Sequence, residues 1–430
     1  MSPVDPHLSR LFRGTHLFGL ACGISIALTS LHLDAQGYSK QDIGTLAIFF
    51  ASGLVLFAIP IGFFIRKFGG KRTLTTVMLG YAACVAAFPF MPSYGSIAGL
   101  RFFDGLFSVG VWVSSETILL HRTDKEHKAH LTSLYAIWLS SGYVIGPILA
   151  MGITKILPVP AAFVIAGVFA LVSTIYLALR LPADDAKHGE APGDDATTTD
   201  GPALARTGEG GAALAGVAGD DRPSSLTILW RIKTSCFGAY AYGYFQASLV
   251  LFLPLFLIES KGIPRGDTII LPGLFCLGML VFSNVFGRIA DRVGHLRVVR
   301  ILSFGGMCCA LGFVFLDSYW LMCAAVIGAG ATLASMSPIA LALTGVVTHP
   351  RDYSRANSIY NVFYAGGMLM GPPIVGMIFK RYGGEMMLYH LGAMWAVFVA
   401  FTMVFYRDDP ASRGQGPAAV APPTEAPAGS

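Results

Sequence analysis

The chain has 430 residues, of which 54% are apolar and only 13% charged, with a net charge of +5. A soluble domain carries roughly 25% charged residues, and here the charges gather in short clusters and one central stretch, which excludes a water-soluble globular class. The basic excess flanks apolar segments, so it is no sign of a nucleic-acid partner.

Twelve apolar segments are predicted to cross a bilayer as helices, each of about 20 residues against a hydrocarbon layer of roughly 30 Å. They cover 11–33, 43–65, 73–91, 95–120, 129–154, 159–180, 234–258, 268–290, 298–316, 319–346, 353–379 and 386–406. The first is too long for a cleaved leader and lacks a small-residue cleavage site, so it is expected to be retained. It carries His16 and His32, which read as hydrogen-bonding or interfacial residues before functional ones. A short loop follows span two, Gly62 to Arg72, with Arg66, Lys67, Gly69 and Lys71 inside it.

Span four contains Arg101 and Asp104, three residues apart on one helix face, where they can neutralise each other. They are either a proton-exchanging pair or a static pair near the membrane boundary. Glu116 lies further along the same span, with no basic residue one turn before it. It is read equally as a proton- or substrate-coupling group and as a carboxylate tied to the basic cluster that follows. Span five carries Gly142, Gly146 and Pro147, where proline bends the helix and glycines admit a neighbour.

From 182 to 225 the chain is rich in Asp, Gly, Ala, Thr and Pro and has no aromatic residue, so a flexible linker is expected there. This divides the chain into 1–181, the linker 182–225, a second half 226–406 and a similar disordered tail 407–430. Trp230, Arg231 and Lys233 form an interfacial collar before span seven. Span seven then shows Tyr240, Tyr244 and Ser248 at four-residue steps, with Gln246 nearby, and span eleven shows Asn357, Asn361 and Tyr364 on one side. Donors of this kind turn away from lipid, toward a cavity or toward other helices. Gly367, Gly371 and Pro372 follow in span eleven. The seven cysteines have no metal or disulfide spacing and read as small core residues, and neither a metal nor a cofactor is expected.

Lys and Arg crowd one side of this topology: Arg10, Arg13, Arg66, Lys67, Lys71, Arg72, Arg122, Arg288, Arg292, Arg297, Arg300 and Arg355 among others. The positive-inside bias then places both termini in the cytoplasm of a cell with this protein in its inner or plasma membrane.

The chain also contains itself twice. Gly62 and Gly287, Gly146 and Gly371, Gly37 and Gly262, and Asp42 and Asp267 all share one offset of 225 positions. Two similar apolar halves can rock about a site at their interface. Here the chain resembles the major facilitator superfamily, whose signature loop reads Gly-x-x-x-Asp-Arg-x-Gly-Arg-Arg. The loop after span eight matches at Gly287, Asp291, Arg292, Gly294 and Arg297, and the loop after span two at Gly62, Lys67, Gly69, Lys71 and Arg72, with Arg66 replacing the acidic residue. The resemblance implies two pseudo-symmetric six-helix bundles, all α, and a breakable latch at these gate loops, in which Asp291 would take part. It also implies a proton-coupling role for Arg101. The Gly142–Pro147 run resembles the superfamily's antiporter signature, although the copy at Gly367–Pro372 is what a packing element would also give.

The expected function is secondary transport of a small solute by alternating access, coupled to protons and directed outward. The chain is expected to act as a monomer. Uptake of a sugar or organic anion by proton symport is the alternative, with Arg101 holding a carboxylate. A non-transporting sensor or scaffold is the alternative class. An enzyme is not expected, because there is no Ser/His/Asp set, no His-Glu metal motif and no phosphate loop.

Overall fold

The computed structural model describes residues 6–58, 60–122, 128–182, 224–349 and 352–408. The predicted linker and tail fall mostly outside these residues. Among the described residues the chain is helical throughout, and twelve helices are long and apolar enough to cross a membrane. Each overlaps one of the twelve predicted spans.

The first half consists of α1 (Pro6–Ala35), α2 (Lys40–Phe57), α3 (Pro60–Phe68), α4 (Gly70–Ala87), α5 (Tyr94–His121), α6 (Lys128–Thr154) and α7 (Val159–Arg180). The second consists of α8 (Ser225–Arg231), α9 (Lys233–Lys261), α10 (Arg265–Thr268), α11 (Leu271–Val293), α12 (His295–Phe315), α13 (Tyr319–Ala329), α14 (Ser335–Val347), α15 (Tyr353–Tyr382) and α16 (Gly384–Val404). Span two is shorter than predicted. Its first helix ends at Phe57, and α3 begins at Pro60, a residue that suits the first turn of a helix. Span ten is likewise composite: a π-helical turn, Gly330–Ala334, joins α13 to α14.

The repeat register holds in three dimensions. A Cβ added at Gly53 would lie 2.0 Å from the Phe102 carbonyl oxygen, and one at Gly278 would lie 2.1 Å from that of Ile327. The reciprocal contacts are Gly105 against Phe50 O and Gly330 against Phe275 O, each at 2.0 Å. Gly80 meets the Phe107 ring while Gly305 meets Thr332, and Gly167 meets Ala86 while Gly392 meets Leu311. In every pair both partners differ by the offset already seen in the sequence. Small residues let membrane helices touch backbone to backbone, so these glycines set the spacing of α2 on α5 and of α11 on span ten. The loop glycines repeat too: Gly69 (φ 86°) and Gly294 (φ 99°) each occupy a backbone region closed to other residues, immediately before a helix. The result is two pseudo-symmetric six-helix bundles.

Candidate functional site

The bundles meet along two seams. Where α2 crosses α15, a Cβ at Gly44 would lie 2.3 Å from Pro372 O, and one at Gly376 would lie 2.4 Å from Lys40 O. Where α6 crosses α11, a Cβ at Gly273 would lie 2.9 Å from Val144 O and 3.3 Å from the Pro147 ring. Pro147 and Pro372, equivalent positions of the two copies, therefore both sit at contacts between the halves. Gly142 and Gly367 serve a different purpose. They press onto helices of their own half, Gly142 against His16 O and Gly367 against Tyr240 O. Gly146 and Gly371 do the same, against Gly23 and Tyr244 O.

All these cross-half contacts lie toward the Lys40 end. Three helical turns, roughly 11 residues, bring a helix back to the same face. Val55 is thus on the face of α2 that holds Gly44, Val362 on the face of α15 that holds Pro373, and Asn284 on the face of α11 that holds Gly273. All three are exposed. The halves touch at the Lys40 end and part toward the Arg66 end, leaving a cleft between them.

Tyr143 of α6 and Tyr242 of α9 are both buried within electrostatic range of Cys276 of α11. On the first-half side the Cys22 thiol lies beside Tyr81 and Tyr143. The sequence motifs gave no pointer to this tyrosine and cysteine cluster, because its members are scattered over α1, α4, α6, α9 and α11.

The intramembrane charges sit on one helix. Arg101 and Asp104 form the predicted i,i+3 ion pair on α5, and Asp104 is buried. The guanidinium also lies over the Phe50 ring, 4.5 Å from its centroid. Ser108 Oγ donates to Asp104 Oδ1 at 3.5 Å. Further along α5, Glu116 is half-buried close to the buried Tyr135 of α6. Beside it the Trp112 indole N–H and the Ser114 hydroxyl are buried without a hydrogen-bond partner among the described residues. Buried polar groups in this state need water or a ligand. The counterparts of Arg101, Asp104 and Glu116 in the second half are Val326, Ala329 and Leu341, all apolar. The duplication kept the backbone contacts and confined the charge to one copy.

The polar stripes of the second half divide. Tyr364 donates to Gln246 Oε1 at 2.9 Å and stacks on Tyr242, next to the deep cluster. Asn361 Nδ2 donates back to Asn357 at 3.0 Å. Tyr244, by contrast, turns to α16, its Oη 2.7 Å from His390 Nε2, and Tyr240 stands one turn away beside it. Ser248 Oγ donates to the Tyr244 carbonyl of its own helix. His390 escaped the sequence reading because α16 carries no periodic polar pattern around it.

The gate loops are exposed at the Arg66 end. Asp291 approaches His295 of its own half at 3.3 Å and has no partner from the other half among the described residues. Lys67 lies over Phe63 and Phe68, and Arg66, Arg72, Arg288, Arg292 and Arg297 face outward. Gly62 and Gly287 leave open space around them, with only Arg66 near Gly62. With the halves parted at this end, no ion pair joins Asp291 to the first half among the described residues.

The family model described as Major Facilitator Superfamily matches residues 11–318 and 235–428. The chain belongs to the major facilitator superfamily. An Escherichia coli K12 relative described as the uncharacterized MFS-type transporter YcaD is 21% identical over 408 residues, covering 93% of this chain and 96% of its own. Among solved structures, a bacterial homolog of the human lysosomal transporter Spinster, in an inward-facing and occupied conformation, superposes with a TM-score of 0.72 at 11% identity, over 94% of this chain and 97% of that one. A mutant of the nucleoside transporter NupG gives 0.69 at 12%, covering 95% and 99%. The human organic anion transporter MFSD10 gives 0.64 at 16%, covering 92% and 99%. As a major facilitator, this chain is a multi-pass membrane protein of a family of secondary transporters of small molecules.

Proposed function

We propose that this major facilitator exports a small uncharged solute in exchange for protons, by alternating access, as a monomer in the inner or plasma membrane. Its Arg66 end and both termini face the cytoplasm, as the distribution of Lys and Arg favours. One observation carries the proposal: faces that touch at Gly44–Pro372 and Gly273–Val144 are exposed three turns further along, so the halves are closed at one end and parted at the other. Rocking about the contacts would exchange the two states. The bundles correspond to residues 1–181 and 226–406, with 182–225 linking them.

The proton site is assigned to α5, where Arg101, Asp104 and Glu116 stand on the half that holds all the mid-membrane charge. The solute site is assigned to uncharged groups of the second half, Gln246, Asn361 and Tyr364. Outward direction is favoured by the Gly142–Pro147 run, whose proline lies at the seam with α11. The second reading is symport of a sugar or organic anion. MFSD10 and NupG, an organic anion and a nucleoside transporter by description, have the same fold. Against an anion, the Arg101 guanidinium is already taken by Asp104 and Phe50.

Proteoliposomes with an imposed pH gradient and a radiolabelled solute, chosen by ligand-induced thermal stabilisation, test this. Counter-movement of solute and protons supports export, and co-movement overturns it. Binding without flux would assign a sensor.

A further inference from the structure

The Lys40 end carries a charge arrangement that no signature loop accounts for. Asp34-x-x-Gly37-x-x-Lys40 connects α1 to α2, and Glu259-x-x-Gly262-x-x-Arg265 connects α9 to α10. Acid, glycine and base all recur in the second copy at the common offset of the repeat. Gly37 (φ 86°) and Gly262 (φ 66°) turn the chain in a left-handed conformation, which brings the base back past the end of the helix that bears the acid. The pairing then crosses between halves. Lys40 Nζ bonds Asp34 of its own half at 2.5 Å and also Glu259 of the other half. Arg265 Nη2 bonds Asp34 at 2.7 Å. Asp34 thus accepts from both bases, and Lys40 reaches both acids. Lys40 and Asp34 are largely shielded, with side chains 14% and 13% exposed, while Glu259 and Arg265 are half exposed at 45% and 50%.

We infer that Asp34, Lys40, Glu259 and Arg265 form an ion-pair latch that holds the Lys40 end shut and parts when the transporter opens there. The inference rests on the alternating-access reading. The arrangement fits a latch because each half carries one acid and one base. When the cross-half bonds break, Lys40 keeps Asp34, and Glu259 and Arg265, about half exposed and six residues apart on one connection, are left to water and to each other. Each half remains neutral and no charge is stranded. A buried pair that loses one partner is strongly penalised, and here that penalty is avoided, so the closed state gains from the cross pairs without becoming permanent. The neighbouring contacts between halves are weaker: Lys380 Nζ to Gln41 Oε1 at 3.5 Å, and Lys40 over the Phe379 ring at 5.9 Å.

The test is a distance distribution between nitroxides on Gln36→Cys and Gly266→Cys. Both positions are exposed, at the Lys40 end of opposite halves, in the full-length chain with its exposed Cys308 changed to Ser. Asp34→Asn with Glu259→Gln is expected to raise the long-distance population about tenfold, the shift of an equilibrium that has lost about 1.4 kcal/mol of cross-half bonding. Exchanging all four charges (Asp34→Lys, Lys40→Asp, Glu259→Arg, Arg265→Glu) is expected to return the parent distribution. Lys261→Ala, which breaks an ion pair with Asp317 inside one half, is expected to leave it unchanged. Two populations that ignore the Asn/Gln changes, or an exchanged chain that stays as open as the neutralised one, overturn the latch. A single short distance in every variant overturns alternating access as well. Should the neutralised chain not fold, the parent across a salt series decides: a long-distance population growing with salt supports the latch and a flat one overturns it.

Discussion

Gly105→Ala tests how closely α2 and α5 must approach. The added Cβ would lie 2.0 Å from Phe50 O and 3.1 Å from Leu54 N, both backbone atoms that cannot swing aside. Ordinary contact begins at 3.4 Å, so the helices must separate by about 1.4 Å at that turn. A gap of about 0.5–1 Å already forfeits a quarter to a half of each dispersion contact. Forced overpacking of this kind costs roughly 1–3 kcal/mol. Phe50 also carries the Arg101 guanidinium, so the separation loosens the intramembrane ion pair's support. Gly99 on the same helix has nothing within 4 Å of its added Cβ, and Gly99→Ala is expected to be neutral or to stabilise by up to about 1 kcal/mol through helix propensity. Gly330→Ala, at the equivalent position of the second copy, is expected to behave like Gly105→Ala. Thermal unfolding of the purified protein in detergent, followed by tryptophan fluorescence, measures all three. A Gly105→Ala protein as stable as the parent, or a Gly99→Ala protein equally damaged, refutes the packing account.

Arg101→Met and Asp104→Asn each isolate a partner inside the membrane, and each is expected to lose about 3–5 kcal/mol, while the double variant loses less than the sum. Additive losses in the same unfolding assay would mean the pair is not coupled. Glu116→Gln is expected to stop proton-driven flux in proteoliposomes and spare solute exchange; loss of both makes Glu116 a structural or solute-binding residue. Tyr364→Phe removes the donor to Gln246 and is expected to weaken solute binding about tenfold, whereas Tyr244→Phe, which faces His390, leaves affinity unchanged. Titrated thermal-shift midpoints separate the two. Asp408→Ala removes the acceptor of Lys233 (2.7 and 2.9 Å) and Thr234 (2.7 Å), and limited proteolysis is expected to cut the end of α16 faster than in the parent.

Much of this architecture was legible in the sequence because two strong constraints act on it. Hydrocarbon thickness fixes the span length, so every spanning helix except the second could be located to within a few residues. Duplication repeats punctuation, so Gly62/Gly287 and Gly146/Gly371 announced the register. Contacts that depend on how helices rotate against each other were not legible. Tyr240, Tyr244 and Ser248 share a stripe with even spacing, yet Tyr244 pairs with α16, while Gln246, off the stripe, meets Tyr364. Gly53 and Gly105 give no local sign that they interlock. The same offset applied to charges would have found Asp34/Glu259 and Lys40/Arg265, since each pair conserves sign. The end of α2 at Phe57 was not legible either, because the apolar run continues past it.

The π-helical turn at Gly330–Ala334 has an effect that sequence alignment of the two copies conceals. Up to Gly330 each residue of span ten occupies the same angular position as its counterpart in α5. A π turn accommodates one extra residue, so everything beyond it is rotated by about 100°. Leu341 therefore matches Glu116 in number but not in azimuth. Span ten and α5 therefore follow the repeat near the Lys40 end and depart from it toward the Arg66 end, where the two halves present differently rotated side chains.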